Sequence, residues 1–217
     1  MKLLRLLPFA LLGPGALPAQ SVTVDSGNVV YRASADAVPR RLTALGLDSE
    51  PHLSPDGRRV AFVRATPGDS VETALGRQPA TSLWTVGVDG SAPRMLVRGR
   101  ASAEPEQTLA AFQSPRFSPD GQRIYFLSTA WVTSGAVHVV ELTSGRERFV
   151  VPGNSLEMVP SGPYAGHLLV EQHRYFLTGG SYDWTWLFAP DGKEVGPVGE
   201  TDEAVRVFLE SQRGAGQ

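Results

Sequence analysis

Short runs of β-branched and aromatic residues, each bounded by Gly, Pro, Asp and Ser, recur along this chain, and helical periodicity is almost absent before its last segment. The runs predict strands at 21–24, 28–32 and 38–43, then at 52–53, 59–64, 81–88 and 93–97. The same order returns at 116–117, 123–128, 136–142 and 147–151, and less regularly at 156–159, 167–177, 184–189 and 194–198. In the run 59–64, Val60 and Phe62 alternate with Ala61 and Val63; in 123–128, Ile124 and Phe126 alternate with Tyr125 and Leu127. Both faces of these strands are apolar, so both must be covered by neighbouring sheets. Radially stacked sheets meet that requirement. The last segment differs. Thr201 as cap, Asp202 and Glu203 in a first turn, and Val205, Phe208 and Leu209 on one face predict a helix over 201–212. Such a helix can cover a sheet edge that would otherwise invite aggregation.

The turn SPDG occurs twice in nearly the same setting, as PHLSPDGRRVAFVR at 51–64 and PRFSPDGQRIYFLS at 115–128. Pro presets φ, Asp bonds to nearby backbone and Gly supplies a positive φ, so the tetrapeptide is a turn between two strands. A third PDG, at 190–192, has moved to the last hairpin of its unit. Together with RRLTALGLDSEPHLSPDGRRVAFVR, VDGSAPRMLV, SPRFSPDGQRIYFLS and HVVELTSGRERFVV, this pattern resembles TolB-type β-propeller repeats, well over 28–151 and loosely over 155–200. The resemblance implies an all-β, β-propeller-like fold. It would have about four blades of antiparallel strands, at 21–47, 50–98, 114–152 and 155–200, followed by the short C-terminal helix. Complete propellers of that family carry more blades, and here the first blade lacks its innermost strand. An open or irregular arrangement is therefore expected, capped by the helix or completed by a partner.

The two SPDG serines, Ser54 and Ser118, stand 64 residues apart, more than the roughly 40–45 of a regular blade. The excess lies in 66–80, read as a polar loop, and in 99–114, read as a loop with a short helix around 106–112. Long loops on one rim of such a fold are where specific binding usually resides.

Composition adds an address and excludes some chemistry. Lys2 and Arg5, the apolar run 3–12 and the small residues 13–19 have the order of a secretory signal peptide, too short to span a bilayer, with cleavage expected after Ala19. The remainder, 20–217, reads as one domain that is periplasmic or secreted, with no membrane span once the leader is removed. The formal net charge is -2 and the charges are interspersed, which gives no nucleic-acid footprint. The chain has no cysteine, so it has no disulfide, thiolate metal site or cysteine nucleophile.

Individual residues point to binding more than to catalysis. Ser54 with Asp56, and Ser118 with Asp120, are accounted for by their turns, and the sequence contains no G-x-S-x-G elbow, phosphate loop or zincin helix. Alternation places Tyr182, Trp184 and Trp186 on one strand face, suited to stacking on a sugar, receiving a peptide or packing between blades. Trp131 falls in a loop between strands. If the blades stack as the resemblance implies, His52 and Arg116, just before the SPDG turns, should lie towards the central channel, where Glu50, Ser114, Asp48 and Arg174 would join them as a polar mouth. His167, Glu171 and His173 share a strand face and suit a metal by type, but 171 and 173 stand a strand repeat apart with no firm further ligand. The expectation is an exported, non-catalytic binding or scaffold module without a cofactor. It would recognise a protein or cell-envelope component through blade-rim loops. A channel-mouth hydrolase or lyase acting on glycan or peptide, and a propeller unit that self-associates through blade edges, are the alternatives.

Overall fold

The computed structural model describes residues 20–214, so the leader assigned to 1–19 lies outside the described residues. Among the described residues, fifteen strands form four antiparallel sheets, in the orders β1-β2-β3, β4-β5-β6-β7, β8-β9-β10-β11 and β12-β13-β14-β15. The first holds β1 (Ser21–Asp25), β2 (Asn28–Arg32) and β3 (Arg40–Arg41). The second holds β4 (Asp48–Leu53), β5 (Arg59–Thr73), β6 (Gly76–Gly87) and β7 (Arg94–Arg98). The third holds β8 (Gln113–Phe117), β9 (Arg123–Thr129), β10 (Gly135–Glu141) and β11 (Glu147–Pro152). The fourth holds β12 (Glu157–Met158), β13 (Leu168–Tyr175), β14 (Ser181–Phe188) and β15 (Glu194–Gly199), and is followed by helix α1 (Asp202–Gly214).

The apolar faces explain the stacking. Val60 and Phe62 of β5 join Val29 of the first sheet, while Ala61 and Val63 join Phe117, Ile124 and Phe126 of the third. One blade later, Tyr125 and Leu127 turn the other way and meet Leu168, Val170 and Phe188 of the fourth sheet. The alternate residues of one central strand thus face two different inter-blade spaces. The four blades form an arc that does not close into a ring.

Gln20, at the start of β1, lies against Gly57 of the second blade's SPDG turn, and Asp48 N–H donates to the Gly27 carbonyl at the far end of β1. The strands β1, β2 and β3 therefore occupy the second, third and fourth positions of a blade, and no described residue takes the innermost position of the first blade.

Both end faces of the arc are finished. The far face of the first sheet is mostly polar, with Ser21, Thr23 and exposed Arg32 beside an Asp25–Arg41 ion pair at 3.4 Å. The far face of the fourth is apolar and is covered: Val159, Leu169 and Leu187 pack under Val205, Phe208 and Leu209 of α1. Thr201 caps the helix, its Oγ1 accepting from Ala204 N–H at 3.2 Å. The helix covers a sheet face, where an edge was expected.

Three sequence readings need correction. Residues 66–80 are not a loop but a two-stranded arm, since β5 and β6 continue their pairing from Ser70–Pro79 to Thr73–Gly76 beyond the rest of the sheet. The expected helix at 106–112 is a single 3₁₀ turn at Pro105–Gln107, because Leu109 leaves it to bridge Arg100. The strand expected at 38–43 shrinks to Arg40–Arg41, immediately after Pro39, which has no N–H to donate.

The SPDG turns are closed by their own side chains. Ser54 Oγ donates to Asp56 Oδ1 at 2.6 Å and accepts from Arg59 N–H, while Arg58 N–H also reaches Asp56. Ser118 and Asp120 repeat every bond. The Ser54 and Arg58 bonds hold the Asp56 carboxyl below its usual range, and those from Ser118 and Gln122 do the same for Asp120. A carboxylate whose folded-state pKa is depressed adds stability above the ordinary Asp range and loses it as the pH falls through the folded value. Loss of the bonds from Ser118 and Gln122 in Asp120→Ala should cost at most about 1 kcal/mol at neutral pH, since solvent screens this half-exposed carboxylate. Urea titrations at several pH values check this: the difference from the parent should shrink below about pH 4.

Candidate functional site: the connector rim and the inner groove

Antiparallel order sorts the loops onto two rims. The SPDG turns and the third hairpin of each blade share one rim, while the hairpins between second and third strands share the other with the blade-to-blade connectors. The connector rim carries Val24, Leu45, Leu75, Val132, Tyr175, Phe176 and Leu177, seven of the eleven large apolar side chains left exposed among the described residues. The apolar surface is therefore concentrated on one side of the molecule.

Both insertions meet on that rim. Val71 and Ala80 of the β5–β6 arm bury Ala110 of the connector between the second and third blades. The arm's tip then reaches the β9–β10 loop, where Leu75, Trp131, Val132 and Asn154 frame a pocket of about 210 Å³. Trp131 is half-buried, its ring edge-on to Phe149 at 6.2 Å, and its backbone N–H donates to the Ser134 carbonyl.

The second concavity is the inside of the arc. The inner strands β4, β8 and β12 bring His52, Leu53, Arg116, Phe117, Glu157 and Met158 around a groove of about 540 Å³, with Pro55 and Pro119 of the SPDG turns at its floor. Arg116 has no carboxylate partner within 4.0 Å among the described residues and bonds to its neighbour's carbonyl. Burial, with the charge of Arg116 adding to it, pushes the His52 imidazole down to about 4. His52 is therefore neutral at physiological pH, and its Nδ1 is buried without a hydrogen-bond partner. Glu50 and Ser114 stand at equivalent left-handed positions, φ 53° and 50°, where each inner strand bulges just before its proline.

The other expected mouth residues are engaged elsewhere. Asp48 is buried against Arg64 by bonds of 2.6 and 2.9 Å. Arg174 lies 3.6 Å above the Trp186 ring and bonds to Gln172 and Glu194. A charged group on a two-faced blade is drawn to the nearest buried partner, and that takes both away from the channel.

The aromatic strip divides. Trp186 packs against the apolar contact between the third and fourth blades, whereas Trp184 and Tyr182 continue outward onto the β13–β14 hairpin. His167, Glu171 and His173 do not converge. His167 packs against Tyr164 and His173 bonds to Asp183 at 2.8 Å, and among the described residues no group of three or more His, Asp or Glu side chains is placed to hold a metal ion.

Sequence reading missed His138. It is fully buried in β10, its Nδ1 lies 2.6 Å from Glu147, and Arg100 holds the other Glu147 oxygen at 2.8 Å. Burial alone would raise the Glu147 carboxyl, but the bonds from His138 and Arg100 outweigh it and hold it low. This trio ties the connector to the third blade. Its sequence signal is a lone histidine in an otherwise two-faced apolar strand, followed across a tight turn by a carboxylate.

No family model and no curated protein matches this chain. Among solved structures it is similar to the β-propeller domain of the Trilobed protease from Pyrococcus furiosus, which has an open velcro topology. Identity there is 12%, the TM-score is 0.55, and the match covers 80% of this chain and 49% of that one. It is similar also to oligogalacturonate lyase from Vibrio parahaemolyticus, at 14% identity and TM-score 0.52, covering 81% and 43%. Puromycin hydrolase matches at 19% identity and TM-score 0.50, covering 79% and 27%. The chain thus spans half or less of each of these proteins. The likeness shows the fold, that of a β-propeller.

Proposed function

We propose that this chain is an exported, non-catalytic binding module of the TolB-like propeller type that takes a protein or cell-envelope component on its connector rim. The observation that carries the reading is the convergence of both insertions beside Trp131, where they frame a pocket on the rim that holds most of the exposed apolar surface. Interfaces concentrate their energy in a few aromatic anchors set in such pockets. The neighbours' lyase and hydrolase activities offer an enzyme reading. The rim pocket, where both insertions meet, favours binding over that reading.

Crosslinking capture from a native envelope fraction tests the proposal. Trp131→Ala combined with Leu75→Asp should reduce one specific captured species at least roughly tenfold while leaving the circular dichroism unchanged. Arg116→Ala should leave capture intact. If Arg116→Ala abolishes capture and the rim variant does not, the inner groove is the site and the rim reading is wrong. A solution mass at a multiple of one chain, with no partner captured, would favour the self-associating alternative.

A further inference from the structure

The β13–β14 hairpin runs past its own sheet. Pairing with β12 stops at Glu157–Leu169 and pairing with β15 at Thr185–Gly199, yet β13 and β14 stay paired from Gln172–Trp184 to Tyr175–Ser181. Four residues of two-stranded ribbon therefore project, roughly 13 Å at the rise of a β-strand. The turn at the apex is closed by Gly179 N–H donating to the Phe176 carbonyl.

Its side chains are layered by distance from the apex. At the tip, Leu177 is 108% exposed, flanked by Tyr175 at 68% and Phe176 at 56%. Behind them Phe176 packs on Tyr182 at 4.6 Å and Tyr182 on Trp184 at 5.7 Å. At the base, His173 bonds to Asp183, and Arg174 joins Gln172 to Glu194. The β5–β6 arm is the internal contrast: it projects similarly, but Asp69, Ser70, Glu72 and Arg77 make its stem polar, Val71 anchors it to the connector, and Leu75 is the one large apolar side chain at its tip.

We propose that the β13–β14 arm inserts its tip into the interface of a lipid bilayer. A convex wedge offers no groove for another protein's side chain. The order of aliphatic apex, Tyr and Trp behind it, and ion pairs at the base follows the order of hydrocarbon, headgroup and water across a bilayer surface. No basic cluster is involved, so the attraction is apolar and not to lipid charge.

Sedimentation with extruded phosphatidylcholine–phosphatidylethanolamine vesicles tests this. The chain should partition to the vesicles, and Leu177→Glu should weaken partition roughly tenfold or more. Raising the salt should leave binding unchanged. Lipids brominated along the acyl chain should quench tryptophan emission, and Trp184→Phe should remove most of that quenching. The Leu177 side chain is fully exposed, so Leu177→Glu leaves the fold intact, which circular dichroism verifies. The proposal falls if the chain does not sediment with vesicles, if Leu177→Glu sediments as the parent does, or if salt abolishes binding. It falls equally if Leu177→Glu abolishes capture of a protein while vesicle binding is at background, because the arm is then a protein-docking element.

Discussion

Asp48→Ala should lower the unfolding free energy by about 3–5 kcal/mol, among the largest effects of any single substitution in this chain. The Asp48 side chain is fully buried, and it holds Arg64 by two parallel bonds of 2.6 and 2.9 Å, the bidentate geometry a guanidinium prefers. Arg64 is itself sandwiched, 4.7 Å from the Trp84 ring and 5.2 Å from that of Phe62, and can turn only partly to water. Removing the carboxylate leaves a largely desolvated cation among aromatic rings. Asp48 N–H also anchors the first blade through Gly27, so the loss falls where two blades join. For a domain of this size the midpoint should drop by roughly 10 °C, measured by calorimetry or thermal circular dichroism. The double variant Asp48→Leu, Arg64→Met should recover much of the loss, because a buried pair replaced by apolar groups is often neutral. If Asp48→Ala melts within about 1 °C of the parent, the pair is not desolvated.

The same pair shows where sequence reading stops. The SPDG turns were legible because their chemistry is local: Pro, Asp and Gly act on residues two to five positions away, and the structure repeats the bonds in both copies. The stacking was legible because 59–63 and 123–127 are apolar on both faces, which only a sheet on either side can cover. Asp48 and Arg174 were not legible. Their position relative to the turns pointed to the channel, and only the register, Asp48 opposite Arg64 and Arg174 near Glu194, reveals competing partners. The 66–80 arm was missed for the opposite reason. A free ribbon needs no apolar face, so its strands carry no period that separates them from a loop. Among the candidate binding residues, the structure brings His52 and Arg116 into one groove, places Trp131 in a rim pocket, and splits the Tyr182–Trp186 strip between a packed end and a projecting one.

Finished end faces explain how an arc of four blades can stand without closing. Radial stacking leaves two faces uncovered, one at each end, and a stacked array needs terminal faces that water accepts. The first blade meets this with Thr23, Arg32 and the Asp25–Arg41 pair. The fourth cannot, because Val159, Leu169 and Leu187 form its far face, and α1 does the covering. The inside of the arc is then an open groove in place of a closed channel, so an extended segment can enter it from the side.

Deleting 202–214 should therefore convert the chain into a self-associating one. Val205, Phe208 and Leu209 are half-buried on the sheet, and losing their cover should cost about 2–4 kcal/mol in sum. The exposed Leu169 and Leu187, beside Tyr164 and Val198, would then offer an apolar face to a second molecule. Light scattering should show concentration-dependent oligomers or aggregate where the parent runs as a single species. Point variants separate covering from chain length. Phe208→Asp keeps the helix but places a carboxylate beside Tyr164 in the apolar contact and should reproduce most of the effect. Val207→Asp, on the exposed side at 52%, should not. Thr201→Ala removes the cap bond to Ala204 and should cost about 1 kcal/mol without aggregation. If the truncated chain and Phe208→Asp both stay at the parent's mass and melting point, α1 is not what finishes the arc. The far face of the fourth blade would then have to be tolerated by solvent, against its apolar composition.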